Sequence, residues 1–489
     1  MNKLLKLFSL SLLFFVFGNI SEAQTIYTWN GSVNSSFSTA GNWTPFRQIG
    51  LVTDILVFEN SGNLNVTNVY QVTIGQLIVR NNTNLVLSPA SGNAKLVTIK
   101  GAAGEDLVVD SGSSLRIFGN DPALNFYLGT GATASVNGNL IFEGSIAHYL
   151  NAADEMAIRF RSGSVLSQLC PGNMFNTIGV SNAVVFESGS AMKINHNGAL
   201  NPFGLSAPGS KVLFEGSSNL MISSINAMQL SGRNIADLTV EQGSSISINE
   251  SFTADMSVSN ITVNNGGSLL IRNTNTSFIP TVNVSGNITA NGSLKFSDAS
   301  DNRLMINMNG SSLQTISGGG ELLIPVNLSK FTLSNTISLQ RDLTVNCPLV
   351  VNRYEILTNG FVFNYNPVFG NPFQGSKSSA LHTNSNEGHN GGNTSPVNVN
   401  IPAEYSISQN YPNPFNPSTK IDFSLPADSK VTLKVYDISG KEIAVLVNSD
   451  MTAGIHTVDF DASGLSSGVY FYSINAGNFI KTVKMILAK

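Results

Sequence analysis

From Leu77 to Ile288 the chain repeats one phrase: an alternating apolar strand, a polar turn of Gly, Ser or Asn, then a second short apolar strand. The clearest copy is Leu107-Val108-Val109-Asp110-Ser111-Gly112-Ser113-Ser114-Leu115. Related copies start at Leu77, Leu140, Ile158, Val184, Val212, Leu238, Ile261 and Ile288. The 211 residues from 77 to 288 divide over eight steps, a mean period of about 26 with individual steps of 18 to 33. That spacing suits one coil of a solenoid, and neither a sandwich nor a propeller produces it easily.

Within each copy alternate residues are apolar, as in Leu107, Val109, Leu115 and Ile117, so one side points inward and Ser, Asn and Thr point out. One coil cannot bury that side alone. Stacking coils in parallel buries a continuous column and pairs every backbone group with the coil above and below. The expected fold is therefore all-β, a right-handed parallel β-helix over residues 24–370. Its 347 residues give about thirteen coils and a rod of about 60 Å. Composition agrees: only 11% of residues are charged and 44 are Gly, which starves helices of a polar face and supplies corners. Cys170 and Cys347 lie about seven coils apart, too far for a disulfide, so two free buried thiols are expected. With 26 Lys and Arg against 30 Asp and Glu, and no basic run past the N-terminus, nucleic acid is not an expected partner.

Lys3 and Lys6, the apolar stretch Leu7 to Phe17, and Ser21-Glu22-Ala23 read as a secretory signal over residues 1–23. The apolar stretch is too short to span a bilayer. Its removal takes away Lys3, Lys6 and Glu22, moving the net charge from −4 to −5. Trp29 and Trp43, the only tryptophans, stand where the first coil needs a lid, and burial there competes with stacking on sugar rings. The segment from Thr28-Trp29-Asn30-Gly31 through Phe37 to Asn42-Trp43 resembles the opening of autotransporter-like surface β-helices.

Residues 371–400 lose apolar periodicity and read as a flexible linker. Residues 401–489 return to short alternating strands, six or seven in under ninety residues, implying a small Ig-like β-sandwich. There the run Tyr405 to Pro417, containing Tyr411-Pro412-Asn413-Pro414-Phe415-Asn416-Pro417, is followed by Val435-Tyr436-Asp437 with Gly440, by Gly468-Val469-Tyr470-Phe471-Tyr472, and by Lys481 to Leu487 including Lys484. Together these resemble the type IX secretion C-terminal sorting domain, type A. The resemblance implies a Gram-negative cell, recognition by the type IX outer-membrane machinery, and a product secreted or attached at the cell surface, with the cut falling in the linker.

Catalytic motifs are formal only. Gly464-Leu465-Ser466-Ser467-Gly468 fits a nucleophile elbow but lacks the following helix. Asp459 to Gly464 opens like a calcium loop but reaches Tyr470 where a Glu is required. Gly129-Thr130-Gly131 opens no helix. His382 and His389 sit in the linker, and His148 and His196 have no matching ligands nearby. Glu59, Asp110, Glu143, Glu187, Glu215 and Glu241 each end an apolar strand, with Arg161 at the equivalent place of its copy. Stacking would align several of these in a ladder that either splays into water or gathers Ca²⁺. The acidic pairs Glu105-Asp106 and Asp154-Glu155 read as turns, since neighbours in a strand point to opposite faces. No catalytic, cofactor-binding or metal residue is therefore nominated. The expected role is a non-catalytic adhesive or structural surface module with a polysaccharide or surface-protein ligand; the alternative is a polysaccharide lyase or glycosidase on the same scaffold.

Overall fold

The computed structural model describes residues 24–488, apart from 49, 102–103, 178, 197–200, 226–227, 297–302, 326–327, 352–355, 366–380, 383–404, 427–428 and 452–453. The expected signal segment, most of the linker and His389 lie outside the described residues. The chain is all-β, with a parallel solenoid of about 12 turns followed by two antiparallel sheets.

Each coil has three faces. The first-face ladder runs through Thr25–Trp29, Asp54–Phe58, Gln76–Val79, Leu107–Val109, Ala134–Val136, Ile158–Phe160, Val184–Phe186 and Val212–Phe214. The second runs from Gly62–Val69 through Ser114–Phe118, Asn139–Glu143 and Val165–Leu169 to Asn219–Ser224 and beyond. The third holds Val72–Ile74, Lys95–Ile99, Leu124–Leu128 and Leu150–Ala152.

This register corrects the sequence reading. Leu140 lies on the second face, paired with Leu115, and the true first-face equivalent is Ala134, paired with both Leu107 and Ile158. From 77 through 107, 134, 158 and 184 to 212 the steps become 30, 27, 24, 26 and 28 residues, so the coil is far more regular than 18 to 33. Ala134 carries too little apolar signal to be picked out by periodicity. Leu238, Ile261 and Ile288 also stand in the second-face ladder, continuing from Leu220.

The corners explain the Ser-Gly-Ser phrase. Ser113, Ser164 and Ser190 donate their N–H groups to the carbonyls of Asp110, Arg161 and Glu187 at 2.9 to 3.0 Å, and the glycine before each serine has φ of 79° to 84°. Such a turn requires the left-handed region at its third residue, which glycine enters without strain. The serine side chains are buried, and those of Ser164 and Ser190 bond back to the same carbonyls.

Inside, apolar residues stack coil upon coil. Phe160, Phe186 and Phe214 form a ring column with centroids 4.5 and 5.3 Å apart and nearly parallel planes. At the N-terminal end Trp29 and Trp43 close the column, packed edge to face at 5.0 Å against each other and close to Phe58, with Phe37 beside Trp43. Both tryptophans are buried, so neither ring is presented to a sugar. Arg47 pairs with Asp54 at 2.8 Å under this lid.

Cys170 and Cys347 are free and buried. Burial raises the Cys170 thiol and pushes that of Cys347 up to about 12. Leu381–His382 pair in parallel with Ile356 and Leu357, inside the stretch read as linker. Beyond it, one sheet holds Ser406–Ile407, Ser418–Leu425 and Gly454–Asp461; the other orders Glu442–Met451, Ser429–Tyr436, Gly468–Ala476 and Phe479–Leu487. Ile421, Phe423, Val431, Leu433, Tyr472 and Met485 share their core.

Candidate functional site

The carboxylates expected to align occupy two different corners. Residues one past the first-face register are Glu59, Arg80, Asp110, Asn137, Arg161, Glu187 and Glu215, and each after Glu59 donates its N–H to the coil before. Four acids therefore do share a corner with Arg161, but arginines are interleaved. Arg80 pairs with Glu59 at 2.7 Å, and Arg161 pairs with Glu187 at 2.6 Å and with Glu105 at 3.1 Å. Glu143 and Glu241 sit on other corners, paired with Arg116 and Lys193 respectively. At the shared corner cations are therefore interleaved beside Glu59 and Glu187, where the sequence places Arg161 in the row. Among the described residues no group of three or more His, Cys, Asp or Glu side chains is placed to hold a metal ion.

Both acidic pairs lie outside strands, Glu105-Asp106 just ahead of Leu107–Val109 and Asp154-Glu155 in the turn after Leu150–Ala152, as expected of turns. Asp106 is buried and accepts the Thr133 N–H at 2.8 Å, while Glu105 reaches out to Arg161. Asp154 accepts the Gly131 N–H at 2.5 Å, tying one corner to the next. His148 is fully buried. Its Nδ1 accepts the Leu124 N–H at 3.0 Å and its Nε2 lies 3.2 Å from the Gly119 carbonyl, so it joins three segments of backbone; burial lowers its pKa. The His196 backbone N–H bonds to Ser224 O at 3.1 Å. Gly129-Thr130-Gly131 is a corner closed by the Ala132 N–H to Gly129 O bond.

Sequence reasoning missed one feature, because it depends on register. The first-face ladder stops at Val212–Phe214: this strand pairs with Val184–Phe186 on one side and, among the described residues, with no strand on the other. The coil that follows is short, 18 residues from Leu220 to Leu238. Among the described residues it has no third-face strand before Asn234–Val240, whose second half alone continues the second-face ladder. A new first-face ladder then starts from Asn234 and Ile235, paired with Ser257 and Val258. At the break lies a shallow pocket of about 330 Å³ lined by Phe214, Gly216, Asn234, Ile235, Ala236, Ser257, Val258, Ser259 and Ser285. None of its described lining residues carries an acidic, basic, histidine, cysteine or tyrosine side chain.

Nearby, two cations are buried in the irregular third-face loops. Lys211 is fully buried, donating to Asn151 Oδ1 at 2.7 Å and Phe175 O at 3.0 Å, and desolvation lowers its pKa to about 8. Arg233 lies 4.1 Å over the Phe203 ring and donates to Leu205 O; the same cause lowers its pKa to about 10. Glu250, which accepts the Leu230 and Ser231 N–H groups, is raised by burial.

In the C-terminal sheets the Tyr411 to Pro417 motif turns out to be a clasp. Phe415 is buried, its N–H bonding Ile486 O at 2.9 Å and its carbonyl accepting from Ala488 at 3.0 Å. Asn413 Oδ1 accepts the Ile486 N–H at 2.9 Å. Gln409 bonds to the carbonyl of Lys484, and Asn410 Nδ2 to Pro412 O and Thr419 Oγ1. The Tyr472 hydroxyl accepts from the Asn410 N–H and donates to Ser408 O; burial pushes it up to about 12. The Tyr470 hydroxyl donates to Ser466 O, four residues upstream, within the Gly464 to Gly468 turn. Asp459 pairs with Lys420, and Asp461 accepts the Ser463 N–H, so the calcium-like loop is a turn between strands. Of the motif's large side chains only Tyr411 stands out into solvent, 81% exposed.

No curated protein and no solved structure matches the chain. Residues 409–488 match the family described as the secretion system C-terminal sorting domain, a match that begins at the clasp and ends one residue past the last strand. Such a domain implies interaction with the type IX machinery, secretion, and attachment at the cell surface.

Proposed function

We propose that the chain is a type IX cargo whose β-solenoid serves at the cell surface as a non-catalytic binding rod for polysaccharide. The carrying observation is the sorting-domain match at residues 409–488 behind a long solenoid. The clasp and the Tyr470 to Ser466 bond, which resembles a tyrosine corner, support reading the C-terminal sheets as an Ig-like type A domain. The coil is taken as right-handed, the hand that parallel crossovers favour.

For the rod, the outward side chains favour binding. Asn63, Asn84 and Ser114 are hydrogen-bonded in a row up the second face at 2.9 to 3.1 Å, and Asn283, Asn307 and Ser334 form a like row at 2.9 to 3.2 Å in the ladder that begins after the break. Rows of amide and hydroxyl groups about 4.8 Å apart suit a hydroxylated polymer. Glycosidic cleavage needs two carboxylates flanking a cleft. Glu105 and Glu187 instead converge on one arginine. The test is to incubate the purified chain with neutral and acidic polysaccharides and follow both retention and release of reducing or unsaturated ends. Retention without release is expected; product release would replace this reading with the enzymatic one. For the export route, removing residues 401–489 should leave the passenger in the periplasm, and its appearance at the surface would refute type IX sorting.

A further inference from the structure

We infer that the break in the first-face ladder is a subsite for one neutral glycosyl unit, an inference that rests on the polysaccharide-binding reading and gives it a location. Along Val212–Phe214 the backbone groups alternate sides. Lys211 O accepts from Val184 N and Glu215 N donates to Phe186 O, so the odd residues face the preceding coil and Val212 and Phe214 face the break. At Val212 a hydroxyl already does the work of the missing strand. Ser210 Oγ accepts the Val212 N–H at 2.9 Å and donates to the Val212 carbonyl at 2.7 Å. Phe214, two residues on, presents the next N–H and C=O in the same direction, into the pocket it lines. A ligand hydroxyl placed there makes the bonds that Ser210 makes at Val212.

The surroundings select the ligand. Phe214 ends the ring column, and with Ile235, Ala236 and Val258 it forms an apolar floor; Asn234, Ser257, Ser259 and Ser285 form a rim of amide and hydroxyl groups. An apolar face ringed by hydroxyl partners is the complement of a pyranose ring. With no charged side chain among the described lining residues, neither a uronate nor a cation gains a counter-charge. A peptide strand fits poorly, because the free edge is three residues long and Ser210 already occupies one of its two outward positions. A volume of about 330 Å³ is at the small end for a ligand pocket and holds one sugar ring with its linkages.

The test titrates the full chain calorimetrically with neutral gluco-, manno- and galacto-oligosaccharides and with uronic-acid oligomers. Phe214→Leu removes the ring while keeping an apolar core residue; Ser257→Tyr fills the pocket from its rim. The expected result is binding of a neutral oligomer and not of the uronic series. Affinity should fall about tenfold in Phe214→Leu, the loss of a stacking contact, and binding should vanish in Ser257→Tyr. Unchanged melting of Ser257→Tyr distinguishes a blocked site from a damaged coil, and Asn234→Ala, an exposed rim change, gives a second weakened variant if Ser257→Tyr unfolds. Neutral binding of equal affinity in every variant overturns the subsite and leaves the polysaccharide reading standing. Failure of every polysaccharide to bind the unaltered chain removes both.

Discussion

A fully buried lysine in a solenoid loop makes a quantitative prediction. Lys211 has its pKa lowered from 10.5 to about 8 because burial disfavours its ammonium form. In the unfolded chain it titrates near the ordinary value. Below pH 8 both states carry the proton, and the folded state bears the full desolvation cost. Between about 8 and 10.5 the unfolded lysine still holds a proton that the folded one has released, so the unfolded state binds more protons and stability rises with pH. The difference of about 2.5 units corresponds to about 3 kcal/mol, a ceiling because the bonds to Asn151 and Phe175 hold back part of the cost. Lys211→Met keeps the length of the side chain and removes its titration. At neutral pH it removes the desolvation cost but also takes a donor from Asn151 Oδ1 and Phe175 O, about 1–3 kcal/mol in the opposite direction, so net stability there moves little. The informative quantity is the pH slope. Urea midpoints of both proteins, read by tyrosine and tryptophan fluorescence from about pH 7 to about pH 10.5, should converge on a difference curve in which the unaltered chain gains on Lys211→Met across that window. A flat difference, or one of opposite sign, refutes the argument.

Other consequences are simpler to read. Gly138 packs so closely on the coil before it that a Cβ would lie 2.1 Å from Ser113 O, so Gly138→Ala should cost about 1–3 kcal/mol in thermal unfolding. Gly319→Ala, with open space around its Cβ, should stay within about 0.5 kcal/mol. Both cysteines should resist a thiol reagent in the native chain and react in denaturant, and a disulfide on a non-reducing peptide map would contradict the buried, separated thiols. Because Glu59, Glu187 and Glu241 are paired with Arg and Lys, a chelator should leave the melting temperature unchanged. Phe415→Ala should loosen the last strand and cost about 3–5 kcal/mol, whereas Tyr411→Ala should leave stability intact and, where the exposed ring is read by the export machinery, reduce surface display.

The two halves of the molecule were legible to different degrees, for physical reasons that can be traced to single residues. Alternation at Leu107 and Val109 reports burial directly, so the solenoid follows from the sequence. Register does not, because a parallel ladder is fixed by which coil lies above which. Ala134 is as buried as its neighbours but adds little apolar signal, so Leu140 from the adjacent face took its place in the pattern. The same slip moved Glu143 and Glu241 onto a corner they do not share with Glu187. The reading of Glu105-Asp106 as a turn was more secure, since it needs no knowledge of the next coil. In the C-terminal domain the motif was recognisable from residue types, but its physical role was not. Only the pairing of Phe415 with the final strand reveals a clasp.

That difference bears on where function is to be sought. A regular coil satisfies its backbone with its neighbours and its core with stacked side chains, which leaves only side chains to meet a ligand. A break in one ladder changes this, because it exposes backbone donors and acceptors beside the end of an aromatic column. The chain contains such a break where the coil shortens to 18 residues, and Ser210 satisfies one of the two outward backbone pairs that it opens. Leaving the other at Phe214 costs stability unless water or a ligand hydroxyl meets it. The place where the repeat fails is therefore the place where a hydroxylated ligand gains most, and periodicity, which detects only what recurs, passes over it.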